Sequence, residues 1–161
     1  MTFLHLLRHA HAGDADAWAG PDASRPLTDK GRGQAERLAT FLADRGFTAD
    51  LVVTSPKDRA HQTAEIVADI LSAPLAVDER LGDHLDVAAA EAILGEHDPA
   101  SSLVLVGHDP DFSDLVSTLC GSVGVPMRKG AFARIEVERP MRAGRGTLRW
   151  LIPPDLLKPE R

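Results

Sequence analysis

The sequence predicts an α/β protein: a three-layer α/β/α sandwich with a mostly parallel central sheet and an antiparallel C-terminal hairpin. Three observations predict it. Short apolar runs recur at residues 3–7, 51–53 and 103–106, as strands buried on both faces of a parallel sheet do. Stretches of helical period lie between them. After residue 130 the period becomes two, around a Gly-rich turn.

The first run is interrupted only by His5 and ends in Arg8-His9. Ala35, Leu38, Ala39 and Leu42 then form one helical stripe, stopped by Gly46. The second run ends in Ser55-Pro56, which reads as the N-cap and first turn of a helix carrying Ala60, Thr63, Ala64, Val67, Ala68 and Leu71 on one face. A third helix is expected over residues 87–97. The run at 103–106 ends in Gly107-His108, and a fourth helix presents Phe112, Leu115, Val116, Leu119 and Cys120 on one face before Gly121. Ala131, Ala133, Ile135 and Val137 alternate with charged residues, and Leu148, Trp150 and Ile152 alternate after Gly144-Arg145-Gly146, so a hairpin is expected. The segment from Pro153 onward reads as a tail that packs loosely or frays.

The 161 residues amount to one domain, 1–161, with no room for a second. Apolar residues are 43% and charged residues 26% of the chain, enough to build a core. Eighteen Lys and Arg against 24 Asp and Glu give a net charge of −6, so the surface as a whole repels nucleic acid and anionic lipid. Any phosphate chemistry must come from a local cluster of cations. One cysteine, Cys120, excludes an intrachain disulfide framework and fits a reducing compartment. With no signal-peptide pattern at the N-terminus and no apolar run of spanning length, the reading is a cytoplasmic, soluble protein with no membrane partner.

Ligands of open α/β sheets bind beyond the carboxyl ends of the strands. There this chain places Arg8-His9, Ser55-Pro56-Lys57-Asp58-Arg59 and Gly107-His108, so two histidines and two arginines converge from three segments. Guanidinium forks suit phosphate oxygens, and Arg59, expected as an exposed residue at a helix start, adds the helix dipole. The pocket is suited to a phosphoryl group.

The motifs that carry this chemistry are Arg8-His9-Ala10, Arg25-Pro26-Leu27-Thr28-Asp29-Lys30-Gly31 with Gln34-Ala35, Ser55-Pro56 with Arg59-Ala60 and Gln62-Thr63-Ala64, and Gly107-His108-Asp109-Pro110. In this order and spacing the chain resembles the histidine phosphatase superfamily, whose fold is phosphoglycerate mutase-like. Its short length, its Arg-Pro-Leu-Thr segment and its closing Leu148-Arg149-Trp150-Leu151-Ile152-Pro153-Pro154 stretch are similar to the small bacterial SixA-type phosphohistidine phosphatases.

The resemblance implies a nucleophilic His9 that attacks phosphorus in line and becomes transiently phosphorylated, with Arg8, Arg59 and His108 holding the phosphoryl oxygens. It requires no metal or other cofactor. Arg25 is a further candidate phosphate ligand; its other reading is a salt bridge within the acidic surface. The superfamily's general acid implies Glu79 as first choice, with Asp83 as alternative. Ala10 stands where the family has glycine, which adds a methyl group to the floor of the site. What orients His9 is not legible.

The expected substrate is a phosphohistidine-bearing protein, such as a histidine phosphotransfer domain, for two reasons. Transfer between two imidazoles is near balanced and needs little acid assistance, and the short connections leave no large lid over the pocket. Inorganic phosphate or sulfate is expected to bind there too. A phosphatase of small phosphate esters is the runner-up, and mutase action is disfavoured without a lid. Two other classes compete. His9, His11 and Asp14, completed by His5, His84 or His108, would make a metal-dependent hydrolase. A non-catalytic phosphate- or phosphopeptide-binding module would use the cationic pocket but has little need of two histidines. Thr28 reads as a helix cap, His61, His84 and His97 as surface or packing residues, and Cys120 as core.

Overall fold

In the computed structural model, which describes residues 2–98 and 102–159, the three apolar runs lie side by side within a six-stranded sheet. β1 (Thr2–Arg8), β2 (Leu51–Thr54), β3 (Leu75–Val77) and β4 (Ser102–Gly107) are parallel. β5 (Phe132–Val137) is antiparallel to β1, and β6 (Thr147–Ile152) is antiparallel to β5. The strand order is β3-β2-β4-β1-β5-β6. At three residues β3 is too short to stand out as an apolar run.

Four helices cover the sheet: α1 (Asp29–Asp44), α2 (Asp58–Leu71), α3 (Val87–Glu96) and α4 (Asp111–Cys120). Alternation along each strand divides the core into two layers. Leu4 and Leu6 of β1 and Leu103 and Leu105 of β4 pack under α3 and α4, with Ile93, Phe112, Leu115 and Leu119. Leu7, Val104 and Val106 face α1 and α2, with Leu38, Leu42, Ala64 and Val67. The three-layer sandwich follows from these two faces.

Local chemistry places the helix starts. Thr28 caps α1, its hydroxyl accepting from the Gly31 amide at 3.1 Å. Gly31 is required there, because a Cβ would lie 2.0 Å from the His11 carbonyl oxygen. The expected cap at Ser55 is not formed: α2 begins at Asp58 with Lys57 at the N-cap position, and Ser55 is turned to another use, described below. The hairpin is also looser than expected. The connection from β5 to β6 runs from Glu138 to Gly146 and rests on the end of α4, where Gly144 and Gly146 donate to the carbonyls of Thr118 and Leu119.

Beyond β6, Pro154–Leu157 forms a 3-10 turn in which Leu157 packs against the α1 face of the core while Leu156 stays exposed. Glu160 and Arg161, the end of the expected tail, lie outside the described residues. Among the described residues no helix is long and apolar enough to cross a membrane.

Candidate active site

Strand register builds the site. Arg8 at the end of β1 pairs with Gly107 at the end of β4, and Thr54 of β2 pairs with Val106. The residues that follow are thereby neighbours: the His9 amide donates to the Gly107 carbonyl at 2.9 Å, and the imidazoles of His9 and His108 lie 5.2 Å apart between centroids. Gly107 has no room for a side chain, since a Cβ would meet the Phe112 ring at 2.8 Å.

His9 is 5% exposed, and its Nδ1 donates to the carbonyl oxygen of Ala10 at 2.8 Å. That bond leaves Nε2 as the free lone pair. Burial pushes the imidazole from its ordinary 6.5 down to about 3; the Ala10 carbonyl opposes this, while His108, Arg59 and Arg8 add to it. His9 is therefore a neutral base with one nitrogen committed to the backbone. Ala10 is itself pinned, its amide donating to the Thr63 hydroxyl at 3.1 Å, and Thr63 in turn donates to the Arg59 carbonyl at 2.7 Å. The start of α2 is thus tied to the His9 segment.

His108 is pushed down to about 3, by burial first and then by Arg59, Lys57 and Arg8. Its Nε2 lies 2.8 Å from the Ser55 hydroxyl, which also accepts from the Lys57 amide at 3.2 Å. A hydroxyl has one donor and two lone pairs, so beside the Lys57 bond Ser55 keeps both a lone pair and its proton for His108; when it donates to Nε2, Nδ1 carries the ring proton of His108.

Arg8 donates from Nη1 to the Met127 carbonyl at 2.8 Å and faces the Asp109 carboxylate at 3.5 Å. Arg59, expected to be exposed, is only 6% exposed. Its guanidinium donates to the Asp22 carbonyl at 2.9 Å and to the Asp22 carboxylate at 3.0 Å. Among the described residues, the buried side-chain polar atoms left without a partner include Arg8 Nε, Arg59 Nε and His108 Nδ1. Buried donors are ordinarily satisfied, so the two unpartnered guanidinium Nε–H groups, with the unpartnered His108 Nδ1, mark a place where an anion fits.

The remaining candidates sit differently. Arg25 is engaged with the carbonyls of Ala12 at 2.9 Å and Gly13 at 3.3 Å and with the Asp22 carboxylate at 3.3 Å, so it clamps the loop before α1. Its link to the histidines runs through Asp22, which bridges it to Arg59. Desolvation raises the Asp22 carboxyl, but attraction and hydrogen bonds from Arg59, then Arg25, hold it below its usual range. Glu79 and Asp83 are exposed and line a cavity of about 520 Å³ with Pro56 and Lys57. Gly82, in the same lining, packs against the residue that contacts His108: a Cβ there would lie 3.0 Å from the Ser55 hydroxyl.

The residues of the metal-hydrolase reading are dispersed. His5 is buried under the sheet with Nδ1 2.9 Å from the Leu103 carbonyl, His11 is bonded to Thr28, and His84 lies on the surface beside Asp111. Among the described residues no three His, Cys, Asp or Glu side chains gather as a metal site.

Asp22, Ser55 and Asp109 are participants to which the sequence assigns no role at the site, although Ser55 and Asp109 stand inside its motifs. Ser55 and Asp109 carry a weak signal, since each flanks a strand end. Asp22 carries only its place three residues before Arg25 in a loop.

The fold, with two histidines and two arginines at the carboxyl edge of a mixed sheet, defines a class. The chain belongs to the histidine phosphatase superfamily, branch 1, whose family model matches residues 4–108. It is similar to the phosphohistidine phosphatase SixA of Escherichia coli strain K12, at 31% identity over 160 residues and 96% of each chain. A solved structure of the protein histidine phosphatase SixA complexed with tungstate matches it with a TM-score of 0.84 at 30% identity, over 98% of this chain and 100% of that one. A putative alpha-ribazole-5'-P phosphatase from Escherichia coli str. K-12 substr. MG1655 shares the fold, with a TM-score of 0.73 at 23% identity over 96% of this chain and 98% of that one.

Proposed function

We propose that this protein is a metal-independent phosphohistidine phosphatase in which His9 is the nucleophile. The observation that carries the reading is the His9–Ala10 hydrogen bond, which leaves a neutral Nε2 lone pair among Arg8, Arg59 and His108.

In the proposed reaction Nε2 attacks phosphorus in line as the bond from phosphorus to the substrate imidazole breaks. His9 keeps its Nδ1 proton throughout, and the Ala10 carbonyl stabilises the positive charge that develops on the ring. Arg8, Arg59 and the Nδ1–H of His108 hold the three phosphoryl oxygens, where preorganised donors lower the barrier most. Water then attacks phosphorus, releasing phosphate and restoring neutral His9. Because an imidazole protonated on its other nitrogen leaves as the neutral ring, this substrate needs no acid from Glu79 or Asp83. That the similar SixA structure is complexed with tungstate, a phosphate-like oxyanion, supports a phosphoryl group as the ligand. A cytoplasmic setting fits the lone, half-buried Cys120.

The test is phosphate release by EDTA-treated protein from a phosphohistidine-bearing protein and from p-nitrophenyl phosphate, with His9→Ala as control. A preference for phosphohistidine and loss of at least about a thousandfold in His9→Ala, with the fold intact, are expected. Faster ester cleavage would shift the assignment to a small-molecule phosphatase using Glu79 or Asp83. Activity of His9→Ala within about tenfold of the parent would remove His9 as nucleophile.

A further inference from the structure

A cleft of about 580 Å³ opens from the site between α1, the loop preceding β5 and the C-terminal 3-10 turn, with Arg8 in its wall. Lys30 and Arg37 reach it from α1, four and three residues either side of Gln34, so all three share one helix face. Arg128 and Lys129 come from the loop and Lys158 from beyond the 3-10 turn; Asp155 is the carboxylate in the lining. In a chain of net charge −6 this is a local inversion of sign. Among the described residues, none of these five cations has a carboxylate within 4.0 Å. His11, at the inner end, feels the same field: burial first, then Lys30, Lys129 and Arg25, hold its imidazole below the usual range.

The cleft is held rigidly to the site. The Met127 carbonyl accepts from Arg8, and the Gly130 amide donates to the carbonyls of Arg8 at 3.1 Å and His9 at 2.9 Å. Arg128 and Lys129, between those anchors, are fixed relative to His9. On the opposite wall the Gln34 side chain accepts from the His11 amide at 3.0 Å. From Lys30 to Arg37 the helix advances about 10 Å, wider than one phosphoryl group and suited to several side chains in a row.

We propose that this cleft is a docking groove for acidic side chains flanking the phosphorylated histidine of a protein partner. The inference rests on the phosphatase reading for the group at His9 and adds the chemistry of what surrounds that group. The cations are too widely spaced for one small anion, and they complement a carboxylate-rich surface laid across the site.

The test uses two phosphohistidine peptides of equal length, one flanked by Asp and Glu and one by Ser and Gly. The acid-flanked peptide should have a KM about tenfold lower at low salt, and about 0.5 M salt should remove the difference. The double variant Arg128→Glu, Lys129→Glu should lose the preference while turning over free phosphohistidine within about twofold of the parent. Equal KM values for the two peptides, or an equal loss on free phosphohistidine, would overturn the proposal. Fluorescence anisotropy of the unphosphorylated peptides with His9→Ala protein reads the groove without turnover. Acid-selective binding with no turnover of either phosphopeptide would support the groove and sink the phosphatase reading; turnover without selectivity would do the reverse. Displacement of the acidic peptide by a single-stranded oligonucleotide at lower concentration would assign the groove to nucleic acid and overturn the proposal.

Discussion

The imidazole of His9 donates from Nδ1 to the carbonyl oxygen of its own neighbour, Ala10, at 2.8 Å. A side chain and the adjacent peptide unit thus settle the tautomer of the proposed nucleophile without any acidic partner. The Ala10 amide, bonded to Thr63, fixes the plane of the backbone that presents this carbonyl. The methyl group that Ala10 adds relative to the family's glycine packs with Ala12 and Leu27. It leaves the carbonyl where His9 needs it.

Acid should destabilise the protein well above the pH at which its carboxylates titrate. His5, His9 and His108 are pushed to about 4, 3 and 3, each by burial first. The unfolded chain takes up their protons from pH 6.5 downward while the folded chain does not, so stability falls as pH falls from 6.5 toward 4 and is unaffected by these groups above 7. Each contributes a loss on the order of 2 kcal/mol between pH 6.5 and 5. Urea midpoints at pH 7 and 5 measure it; His9→Ala should shrink the difference by about a third, and equal midpoints in the parent would refute the burial of neutral imidazoles.

Ser55→Ala should lower kcat about tenfold with little change in KM. In the proposed reaction the Ser55 hydroxyl, 2.8 Å from His108 Nε2, donates to that nitrogen and so keeps the ring proton on Nδ1. Without it His108 is free to adopt the other tautomer and present a lone pair to a phosphoryl oxygen. Nitrogen NMR of His108 separates this from a structural effect: an unchanged tautomer in the variant would rule the mechanism out.

Asp22→Asn should tighten inhibition by tungstate or phosphate. The Asp22 carboxylate is 3.0 Å from Arg59 but half exposed, so the pair it forms contributes at most about 1 kcal/mol, or up to about fivefold in affinity. Arg59 would keep its bond to the Asp22 carbonyl and so its orientation. Weaker inhibition in the variant would mean that the carboxylate positions Arg59 more than it competes with substrate.

Gly31→Ala and Gly33→Ala, two residues apart in α1, should behave oppositely. At Gly31 the new methyl would meet the His11 carbonyl oxygen at 2.0 Å, backbone against backbone, displacing the segment that follows His9; a loss of about 2–4 kcal/mol with loss of activity is expected. At Gly33 it would meet only the tip of the Arg37 side chain at 3.0 Å, and the gain in helix propensity, up to about 1 kcal/mol, should prevail. Thermal melts of the pair decide the point; equal Tm values would show that the loop yields to the Gly31 substitution.

Features that depend only on neighbours along the chain are legible in the sequence itself. The helix periods at Ala35–Leu42 and Ala60–Leu71 match α1 and α2, because an amphipathic stripe needs only its own spacing to show which face is buried. Arg8, His9, Arg59 and His108 are legible as a group because each follows a strand end, and parallel strands deliver their carboxyl ends to one edge. By contrast β3 is hidden by its length, and Ser55, the expected helix cap, is drawn to His108, 53 residues away along the chain.

Only the tertiary structure decides which charges meet. Motif position points to Arg25 and Glu79; in the fold Arg25 closes on loop carbonyls and Asp22, and Glu79 lines an exposed cavity with Asp83, Pro56 and Lys57. Loops are held by hydrogen bonds to distant backbone groups, and no local period records those bonds. The sequence alone determined the fold class, the histidines and arginines proposed to handle phosphate, and the strand ends that carry them. The register of Arg8 against Gly107, the His9–Ala10 bond and the gathering of cations along α1 and the loop before β5 required the chain to be folded, because each is a contact set by packing rather than by adjacency.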